Sequence, residues 1–186
     1  MMNANASNEF KILFTGPMGA GKTTAISAIS DHEAVSTDVV NTDLAQCNKE
    51  LTTAALDYGQ IVLPDNSCVR LYGTPGQERF RFMWPILLNN AAGVIVLLNG
   101  EHPEVADQLE LYVNAFGNGK VPMVVGIGRL AADDTSCLEK LAMRLEDRGI
   151  ALPIFDADVR QQDDVLLLVD ALLCQIEADD CRSLQA

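Results

Sequence analysis

Short apolar runs alternate with longer stretches of helical period along most of this chain. Residues 10–15 (FKILFT) read as a strand, and a glycine-rich turn leads from them into a helix over roughly 22–30. Residues 31–52 are polar, rich in Asp, Asn and Thr, and carry no period. A loop that long inside a compact domain is a functional one or a disordered one. Residues 54–62 and 68–72 read as two strands of a hairpin, joined by the turn signal at 64–66 (PDN). Beyond Gly73 the pattern is helical to about Asn90, with Pro85 expected to kink or break it. Residues 93–98 (GVIVLL) and 121–127 (VPMVVGI) are near-continuous apolar runs, the pattern of strands covered on both faces.

Three more helices follow from periodicity. Residues 103–116 place Val105, Leu109, Tyr112, Val113 and Phe116 on one face. Residues 135–148 form a second helix, ended by Gly149, and a short strand follows at 152–155. Residues 163–178 form the last, with Val165, Leu168, Val169, Leu172 and Ile176 at helical spacing. Alternating strands and helices predict a three-layer α/β domain: six strands, mostly parallel, with helices on both faces. Its expected extent is residues 10–180, between a loose tail at 1–9 and another at 181–186.

Composition adds bounds. The chain has 186 residues, enough for one domain with a real core. It carries 26 acidic side chains against 13 basic, a net charge of −13. That excess opposes nucleic acid and bare anionic membrane as partners. It is uneven: residues 1–93 hold 6 basic and 9 acidic side chains, residues 94–186 hold 7 and 17. An anionic ligand would therefore be met by local groups in the first half. Five widely spaced cysteines without a CxxC pair fit reduced thiols, several of them in the core, better than disulfides or a zinc site. No apolar run approaches the roughly 20 residues of a membrane span. The start, MMNANASNEF, lacks the layout of a signal peptide, and neither end carries a lipidation box. The expectation is a cytoplasmic protein with no direct membrane anchor.

The first chemical signal is at residues 16–23 (GPMGAGKT), a complete GxxxxGK[ST] phosphate-binding loop between a strand and a helix. Gly16, Gly19 and Gly21, with Ala20, let the backbone curl its N–H groups toward one cluster of anionic oxygens. The start of the helix, through Thr24, adds its positive dipole end. Lys22 supplies a point charge for the β- and γ-phosphates and Thr23 a hydroxyl for Mg²⁺. Met18 either crowds the γ-phosphate side or packs on a neighbour.

The second is LYGTPGQERF, residues 71–80, which ends a strand and opens a helix. It resembles the second switch of Ras-like small GTPases, whose usual form is DTAGQERF. The resemblance covers roughly residues 10–178 and implies a P-loop NTPase with a Ras-like G domain, GTP and GDP as ligands, and Mg²⁺ as cofactor. On this resemblance Gly76 offers its N–H to the γ-phosphate and Gln77 orients the attacking water. Thr53, or its neighbour Thr52, matches the threonine of the first switch that senses Mg²⁺ and γ-phosphate. More narrowly, residues 36–59 followed by GTPGQERF resemble a group of small bacterial Ras-like proteins. Related groups act with roadblock-type partner proteins, which implies a protein partner or regulator at the switches.

The chain also departs from the family. Gly73 stands where an aspartate usually holds a water on Mg²⁺, and Pro75 replaces a small flexible residue. Weak Mg²⁺ coupling and slow intrinsic hydrolysis are the expectation. The guanine-reading NKxD is replaced by residues 128–131 (GRLA), where only Arg129 keeps a side chain able to stack on a base. Asp133 and Asp134 lie just beyond, as substitutes or as a helix N-cap cluster. In place of SAK, residues 155–158 (FDAD) keep Ala157, whose N–H would meet the purine carbonyl. Three functions follow: a nucleotide-dependent switch, a pseudo-GTPase scaffold with little or no turnover, and a P-loop phosphotransferase. The last lacks a basic lid and paired carboxylates. Phe80, Phe82 and Trp84 between arginines suggest a partner surface, unless Phe80 or Trp84 fills the core.

Overall fold

A computed structural model describes residues 9–32, 35–36, 56–64, 67–117, 121–131 and 135–183. In chain order the elements are β1 (Glu9–Thr15), α1 (Lys22–Ile29), β2 (Val35–Ser36), β3 (Asp57–Val62) and β4 (Cys68–Gly73), then a 3₁₀ helix (Glu78–Met83) running into α2 (Trp84–Leu88). They continue with β5 (Gly93–Asn99), α3 (Val105–Phe116), β6 (Met123–Gly128), α4 (Ser136–Glu146), β7 (Ile154–Asp156) and α5 (Gln162–Ser183). The sheet order is β2-β3-β4-β1-β5-β6-β7. Strands β4, β1, β5, β6 and β7 are parallel neighbours, and β3 joins β4 antiparallel. The six expected strands are present, and two residues of β2 extend the antiparallel edge.

The central strands bury both faces, as their unbroken apolar runs require. Along β1, Ile12 and Phe14 face one side and Leu13 the other; along β5, Ile95 and Leu97 oppose Val94, Val96 and Leu98. One side packs α1 and α5 through Ala25, Ile26, Ile29, Val165, Leu168, Val169 and Leu172. The other packs α3 and α4 through Leu109, Val113, Phe116, Leu141 and Leu145. Three layers result.

Several boundaries differ from expectation. The stretch after Gly73 is a 3₁₀ helix and a five-residue α-helix, broken beside Pro85, which sits in the first turn of the second piece. Proline suits a first turn, where its missing N–H has no partner to lose. Helix α5 continues to Ser183, into the stretch expected as a tail. Glu9, expected in the N-terminal tail, belongs to β1. Cys174 and Cys181 are exposed and Cys68 and Cys137 half-buried, so none of the four described cysteines is a core residue. Most of the expected loop at 31–52, and the turn residues Asp65 and Asn66, lie outside the described residues.

Candidate functional site

An open cleft of about 1220 Å³ lies at the C-terminal ends of β1, β4, β6 and β7. Open α/β sheets receive ligands at that edge. The phosphate loop forms its floor. Gly16, Gly19 and Gly21 all take positive φ, at 147°, 80° and 89°. Gly21 is doubly constrained, because a Cβ there would meet Val159 Cγ2 at 2.6 Å. Helix α1 begins at the next residue, with no side-chain cap and no acid in its first turn. Its N-terminal end is thus open to an anion. Residues 18–24 all line the cleft.

Lys22 is buried at 8% exposure. Its Nζ donates to the carbonyls of Gly16 (2.9 Å) and Pro17 (2.8 Å), so the ammonium braces the loop it serves. Burial pulls its pKa down to about 8, with the nearby Asp57 carboxylate opposing the shift. A polyphosphate arriving here would supply the negative charge that this buried cation lacks. Met18 points outward at 76% exposure and lines the cleft, so it is not packed on a neighbour.

The second loop lies directly on the first. The Thr74 N–H donates to the Phe14 carbonyl at 2.8 Å, and the Thr74 and Thr15 hydroxyls share a buried 2.8 Å hydrogen bond. These contacts bring the chain to Gly76, where a Cβ would lie 2.6 Å from the Met18 nitrogen and 2.8 Å from Lys22 Nζ. Only glycine permits that approach. Gln77 follows, exposed, on the cleft wall.

One site residue was missed in the sequence. Asp57, the first residue of β3, is buried, and its Oδ2 accepts a 2.7 Å hydrogen bond from the Thr23 hydroxyl. It pairs across the antiparallel ladder with Gly73. A Cβ on Gly73 would sit 2.9 Å from both Cβ and Oδ2 of Asp57. No motif marks Asp57; only the β3–β4 register reveals it.

The base end differs from expectation. Arg129 lines the cleft but is exposed, with a left-handed φ of 59°. Ala157 also lines the cleft, yet its N–H already donates to the Ile127 carbonyl at 3.0 Å, because β7 stays paired with β6 up to this residue. The contact expected from that N–H to a purine is therefore taken. Asp158, in the place of the family's lysine, is bound at the surface by Arg160, which holds its carboxyl down at about 2. Thr52, Thr53, Asp133 and Asp134 lie outside the described residues.

Of the three aromatics, Phe80 and Trp84 are buried and Phe82 is 70% exposed. Trp84 packs in tilted contact with Tyr112 and Phe116, ring centroids 5.2 Å and 5.1 Å away. It belongs to the core with Phe80, the alternative that the sequence left open, and of the three only Phe82 keeps its expected exposure.

Fold and phosphate loop together have the architecture of an α/β P-loop domain: a mostly parallel sheet with helices on both faces and a phosphate loop after its first strand. The chain is similar in structure to a bacterial selenocysteine-specific elongation factor, EF-Sec, with a TM-score of 0.59 and 16% identity over 89% of this chain and 29% of that one. In sequence it is 24% identical to the uncharacterized protein MJ1339 of Methanocaldococcus jannaschii, over 71% of this chain and 77% of that protein. It is 24% identical to the intraflagellar transport protein 22 homolog of Rattus norvegicus and 31% identical to that of Danio rerio. Those two matches cover 57% of this chain and only 55% and 56% of the relatives. No protein-family model matches the chain.

Proposed function

We propose that this chain is a nucleotide-dependent molecular switch that binds GTP and GDP with Mg²⁺, hydrolyses GTP slowly and signals to a protein partner. The observation that carries the reading is the seating of Gly76 against Met18 and Lys22, which places a switch-like loop beside the phosphate loop. A γ-phosphate between the two would bond the Gly76 N–H and pull the second loop into one arrangement; its loss would release it. Gln77 would orient a water for attack on the γ-phosphorus, with the bond to the β–γ bridging oxygen breaking and the water's proton passing to phosphate. Thr23 and Thr53 would each offer a hydroxyl to a divalent ion, which when bound would offset charge on the β- and γ-phosphates. Residues 74–77 and 80 line the cleft while Phe82 and Ile86, each 70% exposed, face solvent. We assign these two apolar side chains as the anchor for a roadblock-type partner or regulator.

The scaffold reading draws its support from the base end, where the Ala157 N–H and the Asp158 carboxylate are already engaged. Calorimetry against GTP, GDP, ATP and ADP, with and without Mg²⁺, separates the two. The switch reading expects Mg²⁺-dependent heat with guanine nucleotides, lost in Lys22→Ala. Heat with no nucleotide would leave the scaffold, and equal affinity for ATP and GTP would remove guanine from the account.

A further inference from the structure

The family's aspartate is absent at position 73, yet a carboxylate stands in the same place. It comes from the neighbouring strand. Asp57 and Gly73 are ladder partners, and the side chain that position 73 lacks would overlap Asp57 Cβ and Oδ2, both at 2.9 Å. The two positions compete for one small volume, which the residue on β3 fills. That volume borders the site: Asp57 lines the cleft, accepts the Thr23 hydroxyl proton at 2.7 Å and acts electrostatically on Lys22.

We propose that Asp57 is the carboxylate that orders the divalent cation in this chain, delivered from β3 in place of position 73. The inference rests on the nucleotide reading above. The Thr23 hydroxyl has one proton, and giving it to Asp57 leaves its oxygen lone pairs free for a cation. The carboxylate keeps further lone pairs for the hydrogens of a cation-bound water, as a shell of six ligands around Mg²⁺ requires. Residues that orient a ligand in this way contribute strongly to metal affinity although the bond to the ion is not theirs. Gly73 then has a structural reason: it clears room for its partner. The proposal predicts tight Mg²⁺ coupling, against the expectation drawn from Gly73 alone.

The test is Mg²⁺ titration of GDP release, followed with a fluorescent GDP on the full chain. Wild type should release GDP slowly in millimolar Mg²⁺ and much faster in EDTA. Asp57→Asn keeps an oxygen for the Thr23 proton and so preserves the local fold, checked by an unchanged melting temperature. Its Mg²⁺ midpoint should rise about 10–100-fold, with GDP affinity in EDTA unchanged. The exchange variant Asp57→Gly with Gly73→Asp returns a carboxylate to the same volume from β4, and should recover most of the wild-type midpoint. It also serves if the Asn variant does not fold. An Asn variant that binds GDP with an unmoved Mg²⁺ midpoint overturns the proposal and leaves the nucleotide reading standing. An exchange variant that binds GDP without any recovered Mg²⁺ dependence overturns the claim that the two strands serve one volume. A wild type that binds no GDP in either condition overturns both.

Discussion

Lys22 is held where it is most useful and least comfortable. Its ammonium is buried, hydrogen-bonded among the described residues to two carbonyls of its own loop, and burial brings its pKa down to about 8 from 10.5. Two opposite pH trends follow. The unfolded chain keeps the lysine proton up to its ordinary value, so between about pH 8 and 10.5 the unfolded state binds more protons and the free protein gains stability as pH rises. Polyphosphate prefers the charged lysine, so nucleotide affinity should hold below pH 8 and fall as pH rises beyond it. A fluorescent-nucleotide titration from pH 6.5 to 9.5 reads the second trend, and a flat profile would contradict it. Gly76 supplies another prediction at this scale. Gly76→Ala places a methyl 2.6 Å from the Met18 nitrogen, so the second loop must lift from the first. The expected result is a melting temperature near wild type with loss of any affinity difference between GTP and GDP. The Gly73–Asp57 pair shows what a linear motif hides. The missing aspartate was plain in the chain, but its replacement became visible only when two antiparallel strands were set in register.

Among the elements, the second switch is where the sequence pattern misled. Spacing over 74–90 predicts one interrupted helix, because 3₁₀ and α periods are close over a turn or two. The break falls at Met83–Trp84, one residue before the proline, and it turns Trp84 inward onto α3. Aromatics separated by two residues then lie on different faces: Phe80 and Trp84 buried, Phe82 outside. Trp84→Ala should destabilise the domain by about 3–5 kcal/mol in urea unfolding, the cost of opening a core cavity. Phe82→Ala should change stability by less than about 0.5 kcal/mol, as for surface positions. It should instead weaken capture of a roadblock-type partner with nucleotide affinity unchanged. The central strands and the amphipathic helices α3 and α4 were legible because burial on two faces or one stripe writes itself directly into the pattern. The base loops were not. Their geometry depends on β7 pairing with β6 up to Ala157, a tertiary fact with no local signature.

At the scale of the whole molecule, the net charge of −13 and the phosphate loop looked opposed in the sequence, and the cleft shows how local groups answer it. The phosphate end is served by Lys22, the start of α1 and glycine backbone, with Asp57 the one acidic side chain described beside them, while Glu101, Asp156, Asp158 and Asp164 also line the cleft. Among the described residues no helix is long and apolar enough to cross a membrane. The central claim is that nucleotide state sets the second switch, and backbone hydrogen exchange on the GTP-analogue and GDP forms tests it most directly. Peptides covering residues 74–90 should exchange several-fold more slowly with the triphosphate analogue, while those from β5 and α5 stay the same. Identical exchange across 74–90 in the two nucleotide states would contradict the account.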